Sequence, residues 1–223
     1  MMSAFSKTTT AVCTAALMTG TAAIADVTAG DVWADWQENL AIYGEDGVSI
    51  GSENTSGGTL TVTDLMLSME DDYSKVETTI GTMTFTENGD GTVTVAMPES
   101  YPVTMDIEGT EVVLNVFNTG MSLVVSGDPE NVTYDITAET YGITVESMED
   151  VEGDMRLTAN QVSGSYGTRD QGDMRELGYE ISAASMDVLV DVKEPGGDGY
   201  VVFSGKVDGL EMGFGADMPE NID

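Results

Sequence analysis

The side chains that carry out most enzyme chemistry are missing from this chain of 223 residues. It has no histidine, and its one cysteine, Cys13, stands near the N-terminus in Ala11-Val12-Cys13. Ser-His-Asp and Cys-His nucleophiles, histidine acid–base work and the usual zinc sites all need those residues. No glycine-rich phosphate loop follows a strand pattern and opens a helix pattern, so no nucleotide cofactor is expected. Carboxylates remain, 40 of them. A pair could hydrolyse a glycosidic bond, but no spacing singles one out, so the chain reads as a non-enzyme with no cofactor. Glu70-Asp71-Asp72 and Glu87-Asn88-Gly89-Asp90 supply oxygens of the kind calcium takes. Neither fits the spaced loop or the glycine-rich repeat that holds calcium. Both read as turns in which Asp and Asn bond nearby backbone, and no metal site is assigned.

What the sequence offers instead is an apolar surface. From Thr79 to Met97, apolar residues at Met83 and Phe85, then at Val93, Val95 and Met97, alternate with threonines around Asn88-Gly89-Asp90-Gly91. Period-two alternation on two arms about a glycine-rich turn predicts a β-hairpin with one apolar face. Those five residues are the candidate face for an apolar ligand. Two functions fit such a face: a binding module that shelters an apolar or lipid-like molecule on a concave sheet, or a structural or interaction protein of a bacterial envelope whose core packs on itself without a ligand.

The same alternation fills most of the remaining chain. Val103, Met105 and Ile107 precede a Glu108-Gly109 turn, Val112, Leu114 and Val116 precede Asn118-Thr119-Gly120, and Met121, Leu123 and Val125 precede Gly127-Asp128-Pro129. Strands every eight to twelve residues with turn residues between them predict an all-β, mainly antiparallel fold of sandwich or half-barrel type. In three runs the apolar phase slips by one residue: Leu60 and Val62 give way to Leu65, Leu67 and Met69; Val76 and Ile80 to Met83 and Phe85; Tyr179, Ile181 and Ala183 to Met186, Val188, Val190 and Val192. A strand that keeps its apolar face through such a slip must insert a residue. The slips therefore mark either β-bulges in long strands, which would make a strongly curled and bulged sheet, or corners between short ones.

Ahead of the strands, Thr28 and Asp31 form a helix-start pattern, and Val32, Trp33, Trp36 and Leu40 share one face at helical spacing. Residues 26–44 are read as a helix whose two tryptophans pack on the sheet. Residues 45–212 are the antiparallel β domain, beginning with an edge strand and loop. Gly164 to Leu177 is read as a looser polar loop, and 213–223 as a frayed tail.

Residues 1–25, with Lys7, an apolar run to Ile24 and Ala23-Ile24-Ala25, have the layout of a signal peptide cleaved after Ala25. Periplasmic or secreted localisation follows, and the protein is expected to have no membrane span. Lys7 is the one basic residue among the seven that precedes Asp26, and none of the 40 acidic residues does, so the chain from Asp26 onward carries a net charge of −34. A field of that sign repels nucleic acid and anionic membrane surfaces, and neither is an expected partner.

Three stretches, Ala25 to Gln37 (ADVTAGDVWADWQ), Gly57 to Met69 (GGTLTVTDLMLSM) and Thr84 to Met105 (TFTENGDGTVTVAMPESYPVTM), resemble a family of exported alphaproteobacterial proteins, domain of unknown function 2125. The resemblance covers mainly the first half of the chain. It implies an exported protein and supplies no catalytic residue.

Overall fold

A computed structural model describes residues 26–40, 43–44, 46–129, 131–149, 151–170 and 174–219. The expected signal peptide, with its cleavage point and Cys13, lies outside the described residues.

Among the described residues one α-helix forms, α1 (Ala29–Leu40). Its start is reciprocal: the Thr28 backbone N–H donates to Asp31 Oδ2 at 3.0 Å, and the Asp31 N–H donates to Thr28 Oγ1 at 3.2 Å. Two of the amides a helix N-terminus leaves without partners are satisfied this way. Val32 and Trp33 are buried, and Trp36 and Leu40 pack against the same core. The strands are β1 (Val48–Ser49), β2 (Ser52–Ser56), β3 (Thr59–Thr63), β4 (Leu65–Glu70), β5 (Ser74–Ile80), β6 (Met83–Glu87), β7 (Val93–Ala96), β8 (Ser100–Ile107), β9 (Thr110–Thr119), β10 (Ser122–Asp128), β11 (Asn131–Met148), β12 (Glu152–Asp170), β13 (Met174–Lys193) and β14 (Tyr200–Pro219).

These strands make a single antiparallel sheet in the order β1-β4-β5-β8-β9-β11-β10-β7-β6-β3-β2, with β12, β13 and β14 added in turn beside β11. The order looks complex until β9 and β10 are seen to lie end to end along one edge of β11. β8 and β7 lie end to end along those two, and so on outward. The chain therefore runs up and down as nine long strands, the first five each broken once, in a plain meander. It closes into neither a barrel nor a two-sheet sandwich.

The breaks line up. Asp64 separates β3 from β4, Gly81 and Thr82 separate β5 from β6, residues 97–99 separate β7 from β8, and Gly120 and Met121 separate β9 from β10. In the long strands the line continues without a break. Pairing runs Ala138↔Val162 then Thr140↔Asn160, Val162↔Ala183 then Asn160↔Ser185, and Ala183↔Leu210 then Ser185↔Asp208. One residue is skipped on every strand, and Asp64, Gly120, Gln161 and Gly209 on this line have positive φ. Because each strand inserts its extra residue in the same row, the register is kept and the apolar side chains stay on one side of the sheet throughout. Leu65, Ile80, Leu67, Val48 and Tyr101 from one side of this crease join Leu60, Val62, Met83 and Phe85 from the other in one cluster.

Both readings of the phase slips are thus realised. The first two slips are corners between short strands, at Asp64 and at Gly81, and the third is a one-residue insert inside β13.

Two sequence expectations are corrected. Gly164 to Leu177 is not a long loop: β12 continues to Asp170 and β13 starts at Met174, and the two pair from Arg169↔Glu176 back to Gly164↔Ile181. Residues 213–219 are not a frayed tail, because Gly213 to Pro219 pair with β13 from Glu180 back to Met174. Glycines and charges hid the alternation in both stretches, and backbone pairing, which needs no apolar side chain, overrides composition there.

Candidate functional site

The hairpin proposed as the ligand face forms as read, with Phe85 opposite Val95 and Glu87 opposite Val93. Its apolar side is covered by α1. Met83, Phe85 and Val93 are 0% exposed, Val95 is 2% exposed, and Met97 packs at the margin of the same cluster. The Trp33 ring lies 5.6 Å from that of Phe85, and the Trp36 ring meets Phe85 edge-on at 5.3 Å. Both tryptophans are packing residues, and these five side chains form a closed core with no open groove.

Acidic residues hold the helix in place. Glu53 accepts from Trp33 Nε1 at 3.0 Å and from Gln37 Nε2 at 3.3 Å, and Glu87 accepts from the Ala29 N–H at 3.2 Å. Asp35 accepts from the Tyr134 hydroxyl. Burial, reinforced by that bond, holds the Tyr134 hydroxyl well above the usual tyrosine range, so it keeps its proton and remains a donor.

The apolar face does not end where the helix does. Across the ladder, Tyr134 sits beside Tyr166, Tyr166 beside Tyr179, and Tyr179 beside Phe214. The adjacent row runs Ile136, Gly164, Ile181, Met212. Alternation puts both rows on the side that carries the buried core. At their inner end Tyr134 is buried beside α1, but toward the outer strands no described residue covers them: Ile181 is 38% exposed, Met212 59% and Phe214 53%. Tyr134 and Tyr166 approach with ring centroids 5.8 Å apart, as do Tyr179 and Phe214, which makes an aromatic floor leading away from the helix. At its inner end a cleft of about 220 Å³ opens under the last turns of α1, lined by Trp36, Leu40, Tyr134 and Tyr166 with Asp35 and Asn39 at its rim. Beyond the crease the same side carries Leu157, Val207, Phe203 and Val201, which are also exposed.

A larger hollow, about 640 Å³, lies against β11 to β14, where Asp135, Ser163, Ser165, Glu180, Ser182 and Glu211 line it together with Ile181 and Met212. Among the described residues no three acidic side chains are gathered closely enough to hold a metal ion. The acids singled out for calcium work as turn residues. Asp71 accepts from the N–H groups of Tyr73 and Ser74, and Asp90 from the hydroxyl and N–H of Thr92. These bonds, the Tyr73 N–H first for Asp71 and the Thr92 hydroxyl first for Asp90, hold both carboxyls below their usual range.

Among the described residues no helix is long and apolar enough to cross a membrane. Comparison with family models, curated proteins and solved structures gives no significant match, so the family resemblance rests on the quoted stretches alone. The open floor was only partly visible in the sequence. Tyr179 and Ile181 stood out as a strand, but Leu210, Met212 and Phe214 were not linked to them, although they alternate at period two across glycines.

Proposed function

We propose that the protein is an exported, non-enzymatic β protein that binds an elongated apolar molecule of acyl-chain character. The guest lies on the open continuation of its core face, along Tyr166, Tyr179, Ile181, Met212 and Phe214. One observation supports the reading: a single apolar face is buried around α1 over β3, β6 and β7 and, among the described residues, is left exposed at Ile181 of β13 and at Met212 and Phe214 of β14. A soluble chain rarely leaves large side chains contiguous and uncovered unless something occupies them. Methionine and aromatic rings suit a guest of variable shape, and the cleft beneath α1 would receive its end. The crease would let the sheet curl strongly toward the apolar side around such a guest.

The test is a titration of purified full-length protein with a fluorescent fatty acid. Saturable binding is expected, and Met212→Glu, on the open floor and away from the sealed core, should weaken it at least tenfold with the circular dichroism spectrum unchanged. Absence of saturable binding would leave a structural or interaction protein of the envelope whose core is the helix-covered half.

A further inference from the structure

A meander has two outer edges, and the two in this sheet are built differently. At one side β2 is short, polar and exposed at every residue, which blunts it against pairing. At the other β14 runs from Tyr200 to Pro219 with β13 on one side and, among the described residues, no strand on the other. It has no proline before its last residue, and Tyr200, Val201, Val202, Phe203, Val207, Met212 and Phe214 on it are all exposed. A row of unpaired amides and carbonyls on a long apolar strand is a template for another strand.

The sequence of β14 matches one strand in particular, which is itself. Its inserted residue is Gly209, next to Asp208, which pairs with Ser185, and Val207 and Leu210 flank the two on the apolar side. If two copies of β14 run antiparallel about a two-fold axis between Asp208 and Gly209, each inserted Gly209 lies opposite Asp208 of the other copy and the crease continues from one molecule into the next. Phe203 then lies opposite Phe214, Val207 opposite Leu210 and Val201 opposite Ala216 on the apolar side. On the polar side Lys206 lies opposite Glu211. All of these pairings occur twice by symmetry, as an isologous interface requires. Side-chain direction and amide direction alternate together along a strand, so a register that matches faces also matches hydrogen-bonding edges. Other registers lose these pairings: a slide of two residues one way sets Asp208 against Glu211, and the other way sets Lys206 against Gly209. Aromatic pairs and opposite charges placed directly across a ladder stabilise it, and like charges destabilise it.

We infer that the protein forms a two-fold symmetric dimer through β14 of each copy, joining the two sheets into one. The inference is independent of the proposed ligand, because edge pairing leaves both faces of the sheet open. Each copy carries a large negative charge, so association strengthens as salt screens the repulsion between them.

Sedimentation velocity on the purified full-length protein at about 0.15 M NaCl tests this, with circular dichroism confirming that each variant is folded. The wild-type protein is expected to be a dimer. Lys206→Glu should raise the dissociation constant at least tenfold, and so should Glu211→Lys. The second result is the more decisive, because Glu211→Lys lowers the net negative charge and would strengthen any association opposed by charge alone. The double variant K206E/E211K restores opposite charges across the axis and should restore the dimer. A wild-type monomer at every concentration tested overturns the inference, as does a Glu211→Lys protein that associates as well as wild type or a double variant that stays dissociated.

Discussion

Phe85 shows how one side chain decides between a site and a core. It is fully buried, with Trp33 on one flank of its ring and Trp36 on another, so nothing in solution reaches it. Truncating a buried aromatic removes its transfer energy and leaves a cavity that the surroundings fill only in part. Phe85→Ala is therefore expected to cost roughly 3–5 kcal/mol in urea unfolding. Both tryptophans of the protein are on α1, so tryptophan emission should shift to the red as the helix loosens. A loss below about 1 kcal/mol would mean that α1 does not seal this face. Glu53, Glu87 and Asp35 make the complementary point about the acids around that core. Glu53 and Glu87 accept hydrogen bonds from the helix, and Asp35, on the helix, accepts one from Tyr134 of the sheet, a role that scattered positions in a sequence do not reveal.

The crease is a property of elements, since it exists only because neighbouring strands insert their extra residue in the same row. Gln161 is its most exacting position, a residue with a side chain held at φ 51° within an otherwise continuous β12. Glycine occupies that conformation freely, whereas a β-branched residue is strained in it. Gln161→Val should cost roughly 1–3 kcal/mol, while Gln161→Gly should be close to neutral, both read from denaturant midpoints. Equal losses from the two variants would show that the side chain, and not the backbone, matters there. Much of this architecture was legible in advance. Strand identity, the antiparallel class, the Thr28 helix start and even the phase slips at Asp64, Gly81 and Ala184 follow from alternation that local sequence carries. The alignment of the slips into one line was not legible, because it depends on the register between strands. Coverage was not legible either: Met83 and Met212 alternate with polar neighbours in the same way, yet one lies under a helix and the other is bare. What separates them is which strands α1 rests on, a tertiary fact with no local signature.

At the scale of the whole molecule, like charge opposes the fold. The chain from Asp26 onward has a net charge of −34, and its cations are used sparingly. Lys75 with Glu77 at 3.0 Å, Lys193 with Glu152 at 2.8 Å, Lys206 with Asp208 at 3.7 Å and Arg169 with Glu176 at 3.8 Å are all substantially exposed pairs. Pairs of that kind contribute from about zero to 1 kcal/mol each, so they offset little of the repulsion among the remaining carboxylates. Repulsion spread over a surface is long in range and therefore sensitive to screening, whose length falls from about 30 Å at 0.01 M salt to about 10 Å at 0.1 M. The melting temperature is accordingly expected to rise with NaCl across that interval. At this chain length each 1 kcal/mol gained corresponds to about 2–4 °C. Calorimetry across a salt series, repeated with EDTA at constant ionic strength, checks the argument. A rise that EDTA leaves unchanged is diffuse screening, whereas a curve that stays flat in salt and drops on adding EDTA would place the stabilising positive charge in a bound divalent cation.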